Sequence, residues 1–199
     1  MASSIKLNDI VETVIVKNLK RRDDRLEAIS KQLDALSINW LRFDVIDHIG
    51  TRANPTWWNA FNGLQAIRYA KHAKLPCVLI LDDDCLFVDD FAERFEKLWP
   101  HIPSDWDYVS FGEIFGDKEE IYPGIVKSQN SWGGHASLVR DTLYDLILEN
   151  IDGLDFADEQ MNRKVKPHAK CYVFSPYLIT QSPGFSDHSG DYATNHLFD

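Results

Sequence analysis

Short apolar runs alternate with amphipathic stretches along most of the 199-residue chain. The first run, over residues 13–16, contains Val14, Ile15 and Val16 and predicts a strand. A polar, basic turn follows. Leu26, Ile29, Leu33 and Leu36 then recur at spacings of three and four, which predicts a helix with Asp23 or Asp24 as its cap. Residues 40–46 alternate as a second strand ending at Asp47, and a loop with Pro55 leads into a helix over about 58–74. Cys77-Val78-Leu79-Ile80-Leu81 is apolar without a break, the pattern of a central strand buried on both faces of a parallel sheet. A helix around Phe91, Phe95 and Leu98 is stopped by Pro100. Residues 106–111 read as a further strand, 112–130 as a long polar loop of the lid type, and 131–139 as a segment carrying Gly133-Gly134 into a helix. A shorter helix over 156–165, a late strand over 171–174 and a Gly-, Ser- and Asp-rich tail from Ser182 complete the pattern. Strands alternating with helices predict an α/β fold with a mostly parallel sheet, in one domain spanning 1–199.

The most informative chemistry follows the buried strand. Asp82, Asp83 and Asp84 stand where ligands of open α/β sheets gather, at a strand's carboxyl end. Three adjacent acids repel one another, and desolvation adds to the cost. A divalent cation removes that penalty, and oxygen ligands suit Mg²⁺ or Mn²⁺. If the strand continues, Asp82 and Asp84 share a face and Asp83 points away, so Asp-x-Asp is the expected unit. A solvated acidic turn is the alternative.

Charge narrows the partners. Lys and Arg total 21 against 31 Asp and Glu, 21 − 31 = −10, with a pI near 5.1. Nucleic acid is a poor match for such a chain, because phosphate neutralisation needs clustered basic residues. One basic cluster, from Lys17 to Arg25, runs against this background; it suits a small phosphorylated ligand or a solvated helix start. Three widely spaced cysteines, Cys77, Cys85 and Cys171, fit neither a disulfide framework nor a zinc site. With no apolar leader and no run long enough to span a bilayer, the expectation is a cytoplasmic protein without a transmembrane segment.

Five pieces of sequence now stand in order. They are Asn18-Leu19-Lys20-Arg21-Arg22-Asp23-Asp24-Arg25-Leu26, Phe43 to Asp47, Val78 to Asp84, Trp106 to Gly112, and Gly133-Gly134-His135-Ala136. Together, over residues 11–188, they resemble the GT-A glycosyltransferases, within them the lipooligosaccharide and collagen-galactosyl type, and also the glycosyltransferase domains found in chlorovirus proteins. The resemblance implies the GT-A fold, a nucleotide-sugar donor (by family habit a UDP-sugar), Mn²⁺ or Mg²⁺, and a glycan or glycoprotein acceptor. It implies Asp84 as the main metal ligand, Asp82 at the metal or ribose with Asp83 beside it, and His188 as a late ligand. Asn18, Leu19 and Arg25 would line the nucleotide pocket, Asp47 would sit near the base, and Arg68 would meet the diphosphate or orient an acid. Gly133 and Gly134 would let the donor sugar approach the backbone. Asp158 and Glu159 would hold the catalytic base of an inverting enzyme; a retaining one needs none. Trp57, Trp58, Trp132, Phe185 and Tyr192 are candidates for stacking on sugar rings, Trp132 foremost.

Two other classes share parts of this pattern. A haloacid-dehalogenase-like phosphatase also carries Asp-x-Asp after an apolar strand, but usually on the first strand of the chain. A non-catalytic sugar-binding domain would need neither nucleotide nor metal. The chain is also readable as one domain of a longer protein.

Overall fold

The computed structural model describes residues 5–47, 54–112, 114–187 and 191–193. The helices are α1 (Asp23–Ala35), α2 (Pro55–His72), α3 (Phe91–Leu98), α4 (Tyr144–Asn150) and α5 (Ala157–Gln160). The strands are β1 (Val14–Leu19), β2 (Trp40–Val45), β3 (Cys77–Asp82), β4 (Cys85–Phe87), β5 (Tyr108–Ser110), β6 (Ile114–Phe115), β7 (Glu119–Tyr122), β8 (Ile125–Lys127), β9 (Ser131–Trp132), β10 (Ala136–Arg140), β11 (Cys171–Phe174), β12 (Ile179–Gln181), β13 (Gly184–Phe185) and β14 (Tyr192–Ala193). An eight-stranded sheet has the order β2-β1-β3-β10-β5-β11-β8-β7. β10 and β8 run against the other strands, so the sheet is mixed and mostly parallel.

Side chains alternate across this sheet into two cores. Val14, Val16, Leu79 and Leu81 face α1 and α3, where Ile29, Leu33, Phe91 and Phe95 meet them. Ile15, Val78 and Ile80 face the other way, against Leu64 and Ile67 of α2 and Ile147 of α4. Burial on both faces is why β3 has no polar position before Asp82.

Several local expectations are corrected. α2 begins at Pro55, because Asn54 accepts a hydrogen bond from the Thr56 amide and proline suits the first helical position. α1 has Arg22 at its N-cap without a side-chain cap; Asp23 and Asp24 lie in the first turn, where carboxylates favour the helix dipole. Residues 112–130 are not an open loop: β7 and β8 form a hairpin on the main sheet, and β6 pairs with β9. The stretch after α5 winds as a π-helix over Met161–Val165. No helix among the described residues is long and apolar enough to cross a membrane.

Candidate active site

β1, β2 and β3 are parallel and adjacent, so their carboxyl ends open on one edge of the sheet. The register pairs Lys17 with Asp82, and Lys17 Nζ meets Asp82 Oδ1 at 2.8 Å. Burial works to lower the Lys17 pKa, but the charge and hydrogen bond of Asp82 outweigh it and leave it raised. β3 stops at Asp82, and Asp83-Asp84 form a turn into β4. The strand alternation expected to place Asp82 beside Asp84 is therefore replaced by a turn, which brings Asp84 to the same cleft.

The chain itself compensates part of the charge on these acids. Asp83 is buried, accepting from Asn18 Nδ2 at 2.8 Å and from Arg25 Nη1 at 3.0 Å. Burial still raises its pKa against those two donors. Asp84 is also held above the usual carboxylate range, first by burial and then by the charge of Asp82. It accepts from Arg25 Nη1 at 3.1 Å and from Gln181 Nε2 at 3.1 Å. β12 supplies Gln181 because it pairs with β4, and the Ser182 amide donates to the Asp84 carbonyl at 2.7 Å. His135 completes this wall: its carbonyl accepts from the Asp82 amide at 2.9 Å and from Cys85 Sγ at 3.2 Å. Gly112 is required beside it, since a Cβ there would lie 2.1 Å from the Ile179 carbonyl oxygen.

The second wall is a glycine loop held by hydrogen bonds from its neighbours. Gly133 has φ +93°, a left-handed conformation that disfavours a side chain. One helical stretch, residues 158–166, grips the loop. The Gly133 amide donates to Asp158 Oδ2 at 3.4 Å, Trp132 Nε1 to Glu159 Oε1 at 2.7 Å, and the Ser131 amide to Asn162 Oδ1 at 3.2 Å. The buried Lys166 donates to the Ser131 carbonyl at 2.9 Å and to its hydroxyl at 2.8 Å.

Between the walls lies a cleft of about 500 Å³. Its lining includes Lys17, Leu19, Arg25, Asp82, Asp83 and Asp84, together with Gly133, Gly134 and Asp158 and the apolar Ile67, Val139 and Ile147. Other expected residues stand apart. Asn18 is fully buried beneath the acids, its Oδ1 without a partner among the described residues. Asp47 is paired with Arg21 Nε at 2.5 Å and does not line the cleft. Arg68 is exposed on α2 and outside the cleft lining. Glu159 is turned to Trp132, which separates it from Asp158. His188 lies outside the described residues. Trp58 lines the cleft while Trp57 stacks on Phe61, and Phe185 meets Tyr192 edge-to-face in the β13–β14 hairpin.

Sequence reasoning missed Gln181, Asp187 and Lys166, which line the cleft, and read Lys17, which also lines it, only as the start of the basic cluster. Lys17 carried a further signal, since it continues the apolar strand Val14-Ile15-Val16; the others sat in stretches with no pattern to mark them.

The sequence matches no protein-family model and no curated protein. Among solved structures, it is similar to a glycosyltransferase involved in glycosylation of the major capsid of PBCV-1. That likeness has 11% identity and a TM-score of 0.60, and covers 89% of this chain and 95% of that one. A Drosophila beta-1,4-galactosyltransferase 7 mutant in complex with manganese, UDP-Gal and xylobiose matches at 11% identity and TM-score 0.49. It covers 85% of this chain and 69% of that one, and carries no weight at that score. The first likeness, with the sheet order above, establishes the fold alone: a mixed, mostly parallel α/β sheet of the GT-A type.

Proposed function

We propose that the chain is a metal-dependent glycosyltransferase. It would move a sugar from a nucleotide-diphosphate donor, with a UDP-sugar favoured, to a hydroxyl of a glycan or glycoprotein acceptor. The observation that carries this reading is that Asp82, Asp84, Gly133 and Asp158 all line one cleft beside the carboxyl ends of β1 and β3.

The donor set fits Mg²⁺ or Mn²⁺. Such ions are commonly held by one or two carboxylates, with substrate phosphates and water completing the shell. Asp82 and Asp84 offer that pair, and burial keeps Asp84 in need of positive charge. Among the described residues no cluster of three His, Cys, Asp or Glu forms a protein-only cage, so substrate oxygens would supply the remainder. Bound there, the ion would neutralise charge developing on the leaving diphosphate.

The chain's own groups have separable tasks. Arg25, already against Asp83 and Asp84, offers a fork of donors to phosphate oxygens. Gly133 keeps the facing wall free of a side chain where the donor sugar would lie. Asp158 accepts the long 3.4 Å bond from the Gly133 amide and borders the cleft, so in an inverting reaction it would take the acceptor hydroxyl proton. Glu159 acts on Trp132 instead, fixing the indole beside the glycines.

Titration calorimetry of UDP, GDP and CMP, each with and without Mn²⁺, tests the reading. UDP binding that requires the metal supports it, as does loss of transfer in Asp84→Ala with the fold intact. Absence of metal-dependent binding by any nucleotide would overturn it.

A further inference from the structure

The basic cluster between Lys17 and Arg25 is not spent on the acidic turn alone. Arg21, Arg22 and Arg25 converge on one carboxylate, that of Asp187, which arrives from the segment following β13. Arg21 Nη1 meets Asp187 Oδ1 at 2.7 Å, Arg22 Nη1 bonds Oδ2, and Arg25 Nη1 stands 4.0 Å from Oδ2. Arg25 Nη2 also donates to the Phe185 carbonyl at 2.6 Å. Two guanidinium groups thus address the two oxygens of a side chain that is only 10% exposed. The arginines have other partners as well: Asp47 for Arg21, Asp24 for Arg22, and Asp83 and Asp84 for Arg25.

Arg21 and Arg22 each direct one Nη1 at a different oxygen of the same anion, a pair of charge-assisted contacts that two phosphate oxygens could equally accept, so the Asp187 carboxylate occupies places that phosphate oxygens would take. Asp187 itself borders the cleft, within reach of whatever fills it. β13 and β14 beside it carry exposed aromatic rings: Phe185 is 42% exposed and Tyr192 81% exposed. A segment with so little buried apolar surface lifts away at small cost.

We propose that Arg21, Arg22 and Arg25 form a diphosphate-class anion site whose resident occupant is Asp187, so that anion binding and docking of the tail exclude one another. The identity of the anion rests on the proposed function; the competition does not. A diphosphate carries more negative charge than one carboxylate, repels it at this distance, and takes over its donors. The coupling is reciprocal: whatever weakens the Asp187 contact strengthens the anion's hold.

The test is calorimetric titration of the full chain with inorganic pyrophosphate, in EDTA and low salt, for the wild type, Asp187→Asn and Arg22→Gln. Removing the competing charge is expected to tighten binding about tenfold, equivalent to about 1.4 kcal/mol. Arg22→Gln is expected to weaken it severalfold. In the wild type, saturating pyrophosphate is expected to speed amide exchange at Phe185 and Ser186. Unchanged or weaker pyrophosphate binding by Asp187→Asn, or exchange slowed by pyrophosphate, would overturn the inference. Because metal and nucleotide are absent, these outcomes are independent of whether UDP binding needs Mn²⁺, and each proposal fails separately.

Discussion

The two walls of the cleft are built on opposite principles. The acidic wall is joined side chain to side chain by charge: Lys17 with Asp82, Arg25 with Asp83 and Asp84, and three arginines with Asp187. The glycine wall is joined mostly side chain to backbone, with Asp158, Asn162 and Lys166 each holding a main-chain group of Ser131 or Gly133. Ion pairs can be traded for other ion pairs when a charged ligand arrives. A backbone held by hydrogen bonds from a neighbouring helical stretch has no such exchange open to it, so it keeps its shape. One wall is made to swap partners and the other to stay still.

The largest expected effect comes from Arg25→Ala, which leaves Asp83 buried with its counter-charge gone. Denaturant unfolding should show a loss of about 3 kcal/mol, the range for breaking a buried pair on one side. Millimolar Mg²⁺ should restore part of it if charge alone is missing. Lys166→Met tests the other wall. It keeps the length of the side chain but removes two hydrogen bonds from the buried Ser131, at a cost of about 1–3 kcal/mol. Added Mg²⁺ should restore nothing there, and equal rescue of both variants would erase the distinction between the walls. A smaller loss, about 1 kcal/mol, is expected for Trp132→Phe, which deletes the indole donor to Glu159. The least effect belongs to EDTA: with Lys17 and Arg25 already against the acids, chelation should move Tm by under about 1 °C. A large fall would show a structural metal, whose loss by mass action would lower stability.

These contrasts also explain what the sequence disclosed. The run from Cys77 to Leu81 exposed β3 and its acids, because a strand buried on both faces leaves an unbroken apolar record. Lys17 opposite Asp82 could not be read, since the register between β1 and β3 joins residues 65 apart and is decided by packing. β7 and β8 were concealed by shortness and by the exposed Glu119 and Glu120, although Tyr122-Pro123-Gly124 was a turn signal pointing to their hairpin. The grip of Glu159, Asn162 and Lys166 on the glycine loop was hidden for another reason. Their spacing is helical, but a π-helical turn sets which of them face the loop. Asp187 sat in a polar tail whose composition suggested nothing of its three arginine neighbours.

The thiols add a kinetic handle. All three cysteines are buried, Cys77 is pushed up to about 11 by burial, and Cys85 is raised well above the ordinary range for the same reason. A thiol that is both protonated and covered reacts with a maleimide only when its surroundings part. Cys85 is the first residue after the acidic turn, on the strand paired with β12. Its alkylation half-life in the native protein would therefore act as a clock for how often that corner of the cleft comes undone, with no residue introduced into the chain.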